Sequence, residues 1–126
     1  MNLRTPLSNA KGLGAAKEGV SHWWNQRITA IALIPLVLWF CFSIALIAVA
    51  DHATVSAWIA SPFNTALMIL AITVGFYHGY LGLQIIIEDY IANESMKIAS
   101  LIGVALLAVL FATLGVVSIL KISFGA

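Results

Sequence analysis

His78 is the residue in this chain that most needs a chemical explanation. It is the only Asp, Glu, His, Lys or Arg between His52 and Glu88, in the middle of an otherwise apolar run. An imidazole surrounded by hydrocarbon is costly unless it finds a partner. Gly75, Gly79 and Gly82 stand at three residues before, one after and four after it, so something bulky can come close to the backbone there. On spacing alone two readings stay open. One is a hydrogen-bonded histidine in a small-residue helix contact; the other is an axial ligand to the iron of a flat ring such as haem. A bis-histidine haem needs a second imidazole. His22 and His52 fall at or beyond the ends of the apolar runs, so that ligand would come from another chain.

Eleven residues after His78 comes Asp89, followed by Tyr90. At about 100° and 1.5 Å per residue, eleven helical steps return to within roughly 20° of the same face, about 16 Å along the axis. The bland reading of the pair is a helix end with an interfacial phenol. The functional reading is a proton-coupled site at the membrane surface, where a phenol hydrogen-bonds a carbonyl oxygen and a carboxylate orients it or passes protons. A quinone head group needs such donors while its tail stays in lipid. Arg27 is either a snorkelling cation or a partner for a haem propionate or a polar quinone pocket. Trp23 and Trp24 read as interfacial anchors, Gln84 as a hydrogen bond to a neighbouring helix, and the lone Cys41 as a small buried hydrophobe.

The elements that must position these groups are membrane helices. Of 126 residues, 62% are hydrophobic and only 9% charged, with a mean hydropathy of +1.03; a soluble domain carries about 25% charged residues. The chain reads as a single three-helix domain over residues 1–126, too small for a soluble catalytic domain beside the spans. A net charge of +1 makes no case for nucleic acid, and one cysteine excludes a disulfide framework. Residues 1–27 hold Arg4, Lys11, Lys17 and Arg27 against Glu18. Gly12, Gly14 and Gly19 are expected to interrupt any helix there, giving a flexible lead-in with at most one short surface helix, which resembles neither a secretory signal nor a transit peptide.

Three spans follow: 28–50, with Pro35 inside it, 62–87 and 98–120, each long enough for about 30 Å of hydrocarbon. Asp51 and His52 end the first. Residues 53–61 read as a short connector containing Trp58, and Ser61-Pro62 as a helix start. Asn93 is available as a turn residue before the third span. Five basic residues (Arg4, Lys11, Lys17, Arg27 and Lys97) fall on one side and Lys121 on the other. The positive-inside rule then predicts a cytoplasmic N-terminus and second loop, with the first loop and C-terminus outside. Arg27, Trp23, Trp24, Asp89 and Tyr90 would share the inner surface.

Together these residues resemble a known family. His78, Gly82, Gln84, Asp89 and Tyr90, with the stretch from Gly14 to Ala30 (Gly-Ala-Ala-Lys-Glu-Gly-Val-Ser-His-Trp-Trp-Asn-Gln-Arg-Ile-Thr-Ala), are similar to the D-type hydrophobic membrane anchor subunits of succinate dehydrogenase. These are the small cytochrome b556 subunits of respiratory complex II, here in their alphaproteobacterial form. The likeness covers nearly the whole chain. The sister anchor of such complexes, their cytochrome b subunit, usually has an Arg-His pair on its second span where this chain has Leu83-Gln84, which favours the D type.

The resemblance implies that His78 is one axial ligand of haem b, with the other supplied by the sister cytochrome b subunit. It implies that Tyr90 hydrogen-bonds the ubiquinone carbonyl with Asp89 supporting protonation, and that Arg27 lies near the haem propionates or the quinone pocket. Some family members place a histidine six residues before this arginine; here Ser21 stands there and His22 follows, so no propionate role carries over to His22. The implied partners are the succinate dehydrogenase cytochrome b subunit, an iron–sulfur subunit, a flavoprotein subunit and the lipid of a bacterial inner membrane. The complex would pass electrons from succinate to ubiquinone in respiration and the tricarboxylic acid cycle. This chain would be its non-catalytic anchor, for it lacks ligands for flavin or clusters. Other readings are a cofactor-free structural anchor, the anchor of a fumarate reductase, or a transporter subunit with His78 as proton relay. Against the last, neither internal repeats nor several intramembrane charges occur.

Overall fold

The computed structural model describes Leu7 and residues 15–125, with side chains for Leu7 and residues 19–125. Among the described residues four helices follow one another: α1 (Ala15–Ile47), α2 (His52–Ala60), α3 (Pro62–Tyr90) and α4 (Glu94–Ser123). No strand occurs among the described residues. Three of the helices are long and apolar enough to cross a membrane, so the chain is an all-α, multi-pass membrane protein.

Two of the helices open on a side-chain cap. Asp51 accepts from the Thr54 amide at 3.0 Å to open α2, and Asn93 accepts from the Met96 amide at 3.0 Å to open α4. Such contacts satisfy amide donors that a first helical turn leaves unpaired. At α3, Ser61 is the cap residue but its side chain makes no capping bond, and Pro62 fills the first helical position. Glu94 in the first turn of α4 and Lys121 in its last lie with the helix dipole.

The structure corrects two expectations. Helix α1 begins at Ala15 and passes through Gly19, so Gly19 does not break it. One glycine costs about 1 kcal/mol relative to alanine within a helix, too little to stop a helix already propagating from many residues. Gly12 and Gly14, and the lead-in before residue 15 apart from Leu7, lie outside the described residues. Second, the short connector 53–61 is itself largely helical: nearly all of it belongs to α2, and α1 ends at Ile47, a few residues before Asp51. The helices overrun the apolar runs at both ends of α4 and at the C-terminal end of α3, because a helix continues into the headgroup region wherever its backbone bonds can.

Helix α3 is central, packed along α1 on one side and α4 on the other. Both seams are antiparallel. On the first, Thr29 meets His78 and Gln26 lies over Gly82, where a Cβ would come within 3.7 Å of its Nε2. On the second, Phe76 stacks on Phe111 at 6.4 Å and Gly115 faces Ile72, whose Cγ2 would lie 3.1 Å from an added Cβ. At Gly115 a larger residue would press on the Ile72 side chain, whereas the Gly82 contact is ordinary van der Waals distance. At the far end, Thr65 donates to the Ile59 carbonyl at 2.6 Å and contacts Ser123 Oγ at 2.9 Å, while Trp39 and Trp58 stack at 5.6 Å. These contacts dock α2 against α1, α3 and α4.

Candidate functional site

Antiparallel packing brings the N-terminal part of α1, the C-terminal end of α3 and the start of α4 to one end of the bundle. Along the α1–α3 seam the side chains turned inward from α1 are His22, Gln26 and Thr29, spaced i, i+4 and i+7 so that they share one face. Thr29 is the one buried polar residue among those described, at 8% exposed. Its Oγ1 lies 2.8 Å from Nδ1 of half-buried His78, 2.7 Å from the Asn25 carbonyl and 3.1 Å from that of Gln26. His78 therefore has the partner that its position demands. No described residue pairs with its other ring nitrogen. Nearer the bundle end, His22 Nε2 and Gln26 Oε1 are buried with no hydrogen-bond partner among the described residues, so this stripe offers polar capacity to a further group.

The expected residues do not all converge. Arg27 lies between Gln26 and Thr29, which face Gly82 and His78. It therefore sits at the level of residues 79–82 on α3, nearer His78 than Tyr90. Its guanidinium lies over the Trp23 ring, 5.4 Å from the centroid, and Trp23 meets Trp24 edge to face at 5.1 Å. Asp89 and Tyr90 stand exposed at the end of α3, Tyr90 at 84%. The nearby acids are otherwise occupied: Glu88 accepts from Gln84 Nε2 at 2.9 Å and Glu94 pairs with Lys97 at 3.6 Å. Gln84 thus bonds within its own helix rather than to a neighbour. Cys41 is exposed on the outer surface of α1, not buried as expected. On the opposite side of α3, an apolar groove of about 510 Å³ runs against α4, with Tyr80 its polar member.

Among the described residues no three His, Cys, Asp or Glu side chains come together to hold a bare metal ion. A haem iron asks for less. It is already held by its macrocycle, and an imidazole supplies one axial bond. One half-buried imidazole, engaged at Nδ1 and with its second nitrogen unpaired among the described residues, fits half of such a site. Sequence reasoning finds His78 but not Thr29's part, nor the unpaired His22 and Gln26 atoms. Their spacing on one face of α1 is the available signal.

Comparison with known proteins places this geometry in context. A family described as succinate dehydrogenase/fumarate reductase transmembrane subunit matches residues 1–116. The succinate dehydrogenase hydrophobic membrane anchor subunit of Rickettsia bellii is 33% identical over 109 residues, covering 86% of this chain and 87% of that protein. Its counterpart in Paracoccus denitrificans is 32% identical over 104 residues, covering 82% and 81%. The succinate dehydrogenase membrane anchor subunit of Reclinomonas americana is 33% identical over 96 residues, covering 74% and 80%. No solved structure gives a significant match.

Proposed function

Because this chain belongs to the family of succinate dehydrogenase/fumarate reductase transmembrane subunits, we propose that it anchors a succinate:ubiquinone oxidoreductase and contributes His78 to a haem b and Asp89 and Tyr90 to a quinone site. The anchoring role rests on its relatives, which are named succinate dehydrogenase membrane anchor subunits. The haem reading rests on one observation: a half-buried imidazole in the middle of the central helix, engaged by Thr29 at Nδ1 and free at its second nitrogen. The second axial ligand comes from a sister anchor subunit, since no other described histidine of this chain faces His78. A haem held there supplies an electron-accepting centre in the membrane. The level of Arg27 beside residues 79–82 supports reading it as a partner for a haem propionate rather than for the quinone.

At the bundle end the Tyr90 hydroxyl donates to a quinone carbonyl, and Asp89 holds or hands over a proton as electrons arrive. Both face outward, so the pocket is completed by partner subunits: the sister anchor and the iron–sulfur subunit, which with the flavoprotein brings electrons from succinate. Lys97 lies near this end and Arg27 in the same half of the bundle, which supports placing this end on the cytoplasmic side of a bacterial inner membrane.

A reduced-minus-oxidised spectrum of the purified complex tests the haem assignment. His78→Ala is expected to abolish the b-type band while leaving succinate oxidation by artificial acceptors in place. A band that survives the substitution unchanged refutes ligation by His78.

A further inference from the structure

The hydrogen-bond roles around Thr29 follow from a proton count. Its hydroxyl has a single hydrogen and lies near the Asn25 carbonyl at 2.7 Å, the Gln26 carbonyl at 3.1 Å and Nδ1 of His78 at 2.8 Å. A carbonyl oxygen carries no hydrogen. Two oxygens at 2.7 Å repel unless the hydroxyl proton lies between them. The proton therefore points into the α1 backbone, and an Oγ1 lone pair faces the ring. Nδ1 must then be the donor. We infer that Thr29 is a positioning residue: it holds the His78 ring in its Nδ1–H form and leaves Nε2 as the one nitrogen with a free lone pair.

Nothing in this arrangement relies on a mobile side chain. Thr29 is β-branched, which restricts its rotamer, and its hydroxyl is tied to its own helix. The same α1–α3 seam continues on both sides of it, with Gln26 beside Gly82 and Leu33 beside Gly75. Histidines that bind metals usually donate their other N–H to an acceptor, which orients the ring and raises its basicity. In most such sites the acceptor is a carboxylate, a carbonyl or water. A hydroxyl does the same work without a charge, at a depth where a carboxylate would be strongly disfavoured. The inference rests on the haem reading only for what Nε2 meets; the tautomer itself is a property of this chain.

Two measurements separate those levels. In the full-length chain, held in lipid bilayers without haem and carrying isotope-labelled histidines, ring nitrogen shifts report the tautomer; His78→Gln identifies the signal. The wild type and Thr29→Ser are expected to show Nδ1–H, and Thr29→Val, of similar shape without the hydroxyl, to lose that preference. In the assembled complex, Thr29→Val is expected to weaken haem retention by roughly 10- to 100-fold and Thr29→Ser to restore it. Succinate oxidation by artificial acceptors reports that the complex has formed. Any wild-type ring state other than Nδ1–H overturns the inference, as does a Thr29→Val chain that keeps it or equal haem loss in both variants. A wild-type complex without haem, together with tautomer loss in Thr29→Val, upholds the role of Thr29 and refutes the haem reading instead.

Discussion

Tyr90 and His78 pose opposite problems at the scale of single residues. The phenol is exposed at the end of α3 and has no partner to keep; its contribution must come from what binds it. Tyr90→Phe removes one donor and little else. If that donor meets a quinone carbonyl, quinone reduction is expected to fall by about tenfold, the worth of one hydrogen bond near 1.4 kcal/mol. Succinate oxidation by artificial acceptors is expected to stay unchanged, and equal loss of both activities would count as a folding fault. His78 is legible in the sequence because a lone imidazole among apolar residues stands out. Its partner is not, since Thr29 lies 49 positions away and only the register of two helices brings them together. The sequence likewise cannot separate Arg27's two roles, because its height relative to α3 depends on that same register.

Among the elements, α2 shows how a helix hides in a connector. Its nine residues (His52–Ala60) are too few to carry a periodic pattern, and they sit between runs whose length dominates the reading. The signal that is present is the cap: Asp51 followed at the third position by Thr54. Hydrogen bonds from the Thr54 side chain, and from its amide at 3.0 Å, hold the Asp51 carboxyl below its ordinary pKa. A group whose pKa is lowered on folding adds stability above its unfolded value, and that contribution is lost as pH falls through the folded one. The cap of α2 is therefore expected to hold at neutral pH and to loosen below about pH 4. A carboxyl-shift titration of Asp51 checks this: its midpoint should lie below that of an unstructured aspartate, and Thr54→Val should raise it. A wild-type midpoint at or above the ordinary value would count against the capped arrangement.

For the molecule as a whole, three spans are readable because uncharged runs of that length are rarely found outside a membrane. The central place of α3 is not, because its sequence is no less apolar on one side than on the other, and only the glycine contacts at Gly82 and Gly115 show which faces meet. Orientation is checked by thiol labelling. In a Cys41→Ser background, Asp51→Cys is expected to react with a membrane-impermeant reagent from outside intact cells, and Glu94→Cys only after the membrane is opened. The reverse pattern would invert the chain and move Asp89 and Tyr90 to the outer surface.

Helix α3 runs unbroken from Pro62 to Tyr90, and this makes it a ruler. Twelve helical steps separate His78 from Tyr90, about 18 Å along one axis. That spacing is set by the hydrogen-bonded helical backbone rather than by side-chain packing. A thinner bilayer tilts a long helix and so changes the depth of both groups, yet leaves the interval between them as it was. An inserted residue does what lipid cannot, lengthening the interval by about 1.5 Å and turning the phenol by about 100°. Any electron that travels between the two levels meets the same gap in every membrane that this chain inhabits.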